Sequence, residues 1–267
     1  MTTNGIRYAV NCSILFTELP LLQRPAAARE AGFEAIEFWW PFDVADPTDV
    51  EVERFAESVG DSGLELVNLN FFGGDLAAGD RGVASMPGRE AEFRASVEIA
   101  LSLGERLGCR MFNALYGLRV DGLAPEQQDE HATEQLVMAA EAAGRIGGHV
   151  LIEPISGSDR YPVRTASEAV DVMDRVERRA SGRDLLLLAD LYHLATNGDD
   201  VAAGLSTYGP RIGHVQIADA PGRNEPGTGE LPLGRWLADL YEGEYQGWVA
   251  LEYKASSSTL DSFRDLP

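Results

Sequence analysis

The sequence predicts an α/β protein, a single closed (β/α)8 barrel over residues 1–267. Short apolar runs alternate with helix-like stretches from end to end. Four of those runs, HVLIE, LLLLAD, IGHVQ and WVALE, finish on an oxygen-bearing side chain: Glu153, Asp190, Gln216 and Glu252. Their separations of 37, 26 and 36 residues are near the length of one strand–helix–strand unit, as a parallel barrel requires. A chain of 267 residues with 45% hydrophobic content is the right size for one such barrel, which is typically about 250 residues long. No Pro/Ser-rich linker or charge block divides it.

In chain order, strands are expected over Arg7–Asn11, Ala35–Trp39, Leu64–Asn70, Arg110–Asn113, Val150–Glu153, Leu185–Ala189, Ile212–Ile217 and Trp248–Glu252. Helices are expected near 20–31, 48–62, 89–107, 125–146, 166–180, 199–208 and 230–242. Ala-rich stretches such as AAEAA favour helix by propensity. Pro125 suits a first helical turn, and the acidic Glu126 and Asp129 that follow complement the helix dipole. Eight strands with helices between them close a barrel rather than an open sheet.

In such a barrel, chemistry gathers at the C-terminal strand ends. Asn11, Glu37, Asn70, Asn113, Glu153, Asp190, Gln216 and Glu252 all fall there. Three carboxylates and an amide meeting on one rim repel one another unless a cation sits among them. A set with no thiolate and no imidazole selects a hard ion, so one Mg2+ or Mn2+ is expected on Glu153, Asp190, Gln216 and Glu252. His214 lies two residues before Gln216 and faces the same interior one layer lower, supporting the site rather than ligating. His131 and His149 take structural or surface places.

The balance of 22 basic and 43 acidic residues, net −21, repels nucleic acid and anionic membranes. Neither is an expected partner. A small molecule is, and a homo-oligomer is compatible with the sequence. An anion bound here needs a local cation. No apolar run reaches the roughly 18 residues of a membrane helix, and the start has no signal-peptide pattern. A cytoplasmic protein is expected, with Cys12 and Cys109 as reduced core thiols.

The stretches AVNCSILFTELP, GFEAIEFWWPFD, GDLAAGDRGVASMPGREAEFR, IEP, ADLYH, GHVQIADAPGRNEPGTGE and GWVALEYK together resemble the hydroxypyruvate isomerase family of xylose isomerase-like TIM barrels. The resemblance implies an aldose–ketose isomerase that interconverts hydroxypyruvate and tartronate semialdehyde through an enediolate. Glu153 and Glu252 would then be both metal ligands and acid–base residues. It also implies substrate contacts from His193 and Arg223, the latter a natural partner for a carboxylate. Asn70, Asn113 and Asp159 are further candidates for substrate binding. Trp39, Trp40, Phe71 and Phe72 are candidates for the pocket wall.

Two departures bear on the substrate. Leu69–Phe72 replaces an HNLP segment, and Ile155–Asp159 replaces an INHFD-type segment. They leave open a ketose 3-epimerase, a four-carbon 2-oxo acid isomerase or an inosose dehydratase on the same metal core. A DNA-repair endonuclease of this barrel type resembles a histidine-rich multi-zinc protein, whereas this chain has four histidines.

Overall fold

The structure is a computed structural model that describes residues 1–267 apart from residues 4, 183, 184, 244 and 265. Eight parallel strands form the barrel: β1 (Ile6–Asn11), β2 (Ala35–Phe38), β3 (Glu65–Asn70), β4 (Met111–Asn113), β5 (His149–Ile152), β6 (Leu186–Asp190), β7 (Ile212–Ile217) and β8 (Val249–Leu251). Each pairs with the next, and β8 pairs with β1 through Tyr8 with Val249 and Val10 with Leu251, which closes the ring. A two-residue strand, Thr2–Thr3, pairs antiparallel with the start of β1.

The helices are α1 (Arg24–Glu30), α2 (Asp49–Ser62), α3 (Glu90–Leu107), α4 (Pro125–Gly144), α5 (Ala166–Arg179), α6 (Leu191–Thr196), α7 (Val201–Tyr208) and α8 (Leu233–Glu242). α2 and α5 start with reciprocal caps, Thr48 with Glu51 and Thr165 with Glu168. Each pair satisfies two backbone donors that a helix start leaves orphaned. Among the described residues no helix is long and apolar enough to cross a membrane.

The observed strands agree with the expected ones to within a residue or two at each end. The Thr2–Thr3 strand was not expected, and neither was α6, which follows β6 directly. Asp190 caps it, accepting from the Tyr192 and His193 backbone amides at 2.8 and 3.2 Å through Oδ1. A six-residue helix offers too little periodicity to show in the sequence.

Alternation along the strands sorts the barrel interior into layers. Ala9, Ala35, Val67 and Ala250 pack together below, against Trp248. Two residues onward from three of them lie Asn11, Glu37 and Glu252, all buried. A floor of small apolar side chains thus supports a polar layer at the rim. The thiols of Cys12 and Cys109 are free and buried, and burial pushes both up from their ordinary range.

Candidate active site

The four strand-end residues are all buried: Glu153, Asp190, Gln216 and Glu252. Gln216 is held from below. Its Nε2 donates to Glu37 Oε1 at 2.8 Å, and Asn11 Nδ2 donates to the same oxygen at 2.7 Å. The other Glu37 oxygen meets His214 Nε2 at 2.5 Å. With its amide nitrogen tied down, Gln216 keeps Oε1 buried and with no hydrogen-bond partner. His214 thus contacts the Glu37 carboxylate that receives the Gln216 amide.

Asp190 is divided in the same way. Oδ1 caps α6, and Oδ2 is buried without a partner. Glu252 Oε2 accepts from Asn11 Nδ2 at 2.9 Å, while its Oε1 accepts from Arg223 Nη2. Glu153 Oε2 accepts from Asn113 Nδ2 at 2.6 Å. Asn113 thus serves Glu153, and among the residues that line the cavity it has no place.

Burial, and then the charge of Asp190, pushes the Glu153 carboxyl up to about 8. Burial also raises Glu252 well above the carboxylate range, against the opposing charge of Arg223. Uncompensated buried carboxylates cost free energy, which a cation among them would recover. The two orphaned oxygens, on Asp190 and Gln216, are of the hard type that Mg2+ and Mn2+ prefer. The donor set fits such an ion.

An oxygen each from Glu153 and Asp190 also lies within 4.8 Å of a ring nitrogen of His193 and of each other. That nitrogen is not a free ligand atom. The Ser156 backbone N–H donates to His193 Nδ1 at 3.1 Å, with Ser156 Oγ at 2.7 Å. Nδ1 is the acceptor, so in the neutral ring the proton is on Nε2. Burial first, then the charges of Arg223 and Arg81, outweigh Asp190 and hold His193 neutral, with its pKa lowered to about 4. Nε2–H points toward Asp190 Oδ2 at 3.5 Å and Glu153 Oε1 at 3.9 Å. His193 is built as a hydrogen-bond donor.

Arg223 sits on a loop that Asp219 organises, its carboxylate accepting from the backbone amides of Ala220, Gly227 and Leu231. Arg223 itself adopts φ 57°, a left-handed conformation uncommon outside glycine. Its Nη2 donates to Glu252 and stands 3.6 Å from Asp190 Oδ2, and its guanidinium lies 5.4 Å from the Tyr192 ring centre.

These groups open into one cavity of about 260 Å³, lined by Trp39, Asn70, Arg81, Glu153, His193, Arg223 and Glu252 among others. The volume lies below the ~300–1,000 Å³ of drug-sized sites and suits a small acid or sugar. Of the aromatic candidates only Trp39 lines it. Trp40 packs on Phe42 and Phe72, and Phe71 stacks on Phe112.

Asp159 does not join the site. Its side chain is 97% exposed and its nearest charged partner is Arg164 at 3.4 Å. The loop after β5 turns outward at Gly157 (φ 88°), so Ser156 faces His193 and Asp159 faces solvent. Arg81 lines the cavity although no strand-end pattern marked it. It comes from the long loop between β3 and α3, within the GDR of a stretch already noted for its resemblance.

Comparisons with known proteins bear on the fold and the family. The profile of the xylose isomerase-like TIM barrel matches residues 25–266. A Streptomyces coelicolor protein provisionally named a hydroxypyruvate isomerase is 48% identical over 98% of this chain and 95% of its own. The Escherichia coli hydroxypyruvate isomerase is 33% identical over 95% of each chain. A 2-oxo-tetronate isomerase from Cupriavidus necator is 34% identical over 95% of this chain and 94% of its own.

Among solved structures, a Brucella melitensis protein described as a family 2 AP endonuclease superposes with a TM-score of 0.87, at 34% identity and 97% coverage of both chains. A Methylomonas D-allulose 3-epimerase superposes at 0.75 over 98% of this chain and 91% of its own. At 20% identity it shares the fold alone.

Proposed function

The chain belongs to the xylose isomerase-like TIM-barrel family, among its hydroxypyruvate isomerases, and from that premise we propose that it interconverts hydroxypyruvate and tartronate semialdehyde by carbon-to-carbon proton transfer. Its relatives make it an isomerase of the aldose–ketose kind. The observation that carries the specific reading is the pair Glu153 and Glu252, two buried carboxyls facing one small cavity with His193 and Arg223 beside them.

In hydroxypyruvate the proton to be moved is on C3, next to the C2 carbonyl. One carboxylate takes it to give an enediolate, the hydroxyl proton passes from O3 to O2, and a carboxylic acid returns a proton to C2, leaving C3 as the aldehyde carbon. In the metal-free site burial raises both glutamates, and a cation bound among them would favour their ionised forms and keep a base ready at neutral pH. Glu153 and Glu252 would take and return the proton. His193 Nε2–H donates to a substrate oxygen that gains charge in the enediolate. Arg223 holds Glu252 in place and offers its remaining N–H groups to the cavity. Trp39 and Ile155 help exclude water.

Glu153, Asp190, Gln216 and Glu252 would hold one Mg2+ or Mn2+, as the orphaned Asp190 and Gln216 oxygens suggest. When bound, the ion supplies Lewis acidity to the substrate carbonyl and hydroxyl. Gln216, a neutral donor, preserves more of that acidity than a fourth carboxylate would.

A four-carbon 2-oxo acid is the second reading, favoured by the similarity to the Cupriavidus necator 2-oxo-tetronate isomerase. The test is an NMR screen of the Mn2+- or Mg2+-supplemented protein with hydroxypyruvate, 2-oxo-tetronate and free ketoses in D2O. Deuterium entering hydroxypyruvate at C3, with tartronate semialdehyde appearing, is the expected result. Exchange confined to a neutral ketose would overturn it.

A further inference from the structure

A carboxylate substrate entering this cavity faces Glu153 and Glu252, in a chain of net charge −21. It needs a dedicated cation at its other end. Arg223 is poorly placed to supply one, because its Nη2 is engaged by Glu252 and it stands 3.6 Å from Asp190.

Arg81 differs in both respects. Its Nη1 donates to the backbone oxygens of Leu76 and Asp80 at 3.1 and 2.6 Å. Nε and Nη2 have no partner among the described residues, nor does a carboxylate pair with the guanidinium there. One edge of the guanidinium is fixed and the opposite edge is free, in a residue that lines the cavity. That free edge is the Nε–Nη2 fork that binds a carboxylate bidentately.

The loop that carries it is built to hold it. The Gly82 amide donates to Gly73 O at 2.8 Å, and the Ser85 amide to Tyr116 O at 2.8 Å. The Asp80 carboxylate accepts from Asp75 N at 2.9 Å and from Arg89 Nη1 at 2.8 Å. Gly82 has φ +110°, and a Cβ there would fall 2.1 Å from Leu115 O. Only glycine lets the loop lie this close to the chain after β4, with Arg81 at the cavity edge.

We infer that Arg81 anchors the substrate carboxylate through Nε and Nη2 and so selects 2-oxo acids over neutral ketoses. This deepens the proposed function and rests on its choice of a small 2-oxo acid. Arg223 is left with the reacting end of the pocket. The anchor is compatible with three- and four-carbon acids alike, since both end in the same carboxylate.

The experiment uses D-glycerate, an unreactive acid with the carbon skeleton of hydroxypyruvate, titrated calorimetrically into Mn2+-loaded protein. Wild type should bind it, and Arg81→Gln should bind it about 10- to 100-fold more weakly, the scale of a charge-assisted bond. Arg81→Lys should fall between them. In Arg81→Ala, added guanidinium should restore binding, which a merely structural role would not allow. In turnover, Arg81→Gln should raise KM for hydroxypyruvate far more than it lowers kcat.

Unchanged glycerate affinity in Arg81→Gln, no binding by wild type, or loss that guanidinium does not restore would each overturn the anchor. Failure of the two readings is separable. Arg81-dependent glycerate binding without hydroxypyruvate turnover keeps the anchor and removes the reaction. Turnover with KM unmoved in Arg81→Gln does the reverse.

Discussion

Replacing Glu37 by Gln probes the support beneath the site without touching a proposed ligand. Glu37 is fully buried and receives Asn11 at 2.7 Å and Gln216 at 2.8 Å on one oxygen, with His214 at 2.5 Å on the other. A glutamine has one oxygen for these two sides. If that oxygen faces Asn11 and Gln216, the contact to His214 loses its carboxylate. If it faces His214, two amide groups meet and Gln216 turns over, presenting nitrogen where Oε1 now points. Either arrangement loses a charge-assisted bond, about 1.5–3 kcal/mol. At ~2–4 °C per kcal/mol for a protein near this size, the melting temperature should fall by roughly 3–12 °C. Mn2+ affinity should fall by about 10- to 100-fold, as for other groups that orient ligands. Electron paramagnetic resonance of free Mn2+ measures the affinity, and calorimetry measures the melting. Unchanged Mn2+ affinity in a folded Glu37→Gln variant would refute the claim that Glu37 sets the Gln216 amide.

Three further outcomes are expected. Glu252→Gln should lower kcat by about 10²–10⁴ with the fold intact, the usual worth of a general acid or base; undiminished turnover would remove Glu252 from proton transfer. The metal-free protein should lose thermal stability as pH rises from 4.5 toward 8. The Glu153 carboxyl is raised to about 8 in the fold from an ordinary 4.5, so its contribution is fully present below pH 4.5 and lost as pH passes the folded value. Glu252 acts in the same direction, and Mn2+ should abolish the slope; a flat profile without metal would contradict the buried pair. Asp159→Ala should leave KM and kcat unchanged, since that side chain stands in solvent; a raised KM would mean that the loop closes over substrate.

The barrel was legible because strand spacing and alternation are properties of the chain itself. Glu153, Asp190, Gln216 and Glu252 each end an apolar run, and a closed ring must bring such ends together. Lone side chains on loops were less legible. Asp159 follows β5 by only a few residues, yet the turn at Gly157 sends it outward while Ser156 stays inside. Arg81 lies 11 residues beyond the end of β3, and its position depends on Gly82 and Asp80 folding the loop back onto the chain after β4. The surplus glycine in GDRG was the available signal, and its meaning depends on a contact distant in sequence. The roles of Asn11 and Asn113 were hidden for a related reason. Their strand-end positions were plain, but the carboxylates they serve, Glu37 and Glu252 for Asn11 and Glu153 for Asn113, come from other strands.

The central claim is that a hard divalent ion on four strand-end oxygens enables Glu153 and Glu252 to move a proton between the carbons of a small 2-oxo acid. The direct measurement is hydroxypyruvate–tartronate semialdehyde interconversion by NMR after exhaustive chelation, repeated as Mn2+ or Mg2+ is returned. Activity should vanish with the metal and return in proportion to one equivalent per chain. Full activity in the chelated protein would contradict the account.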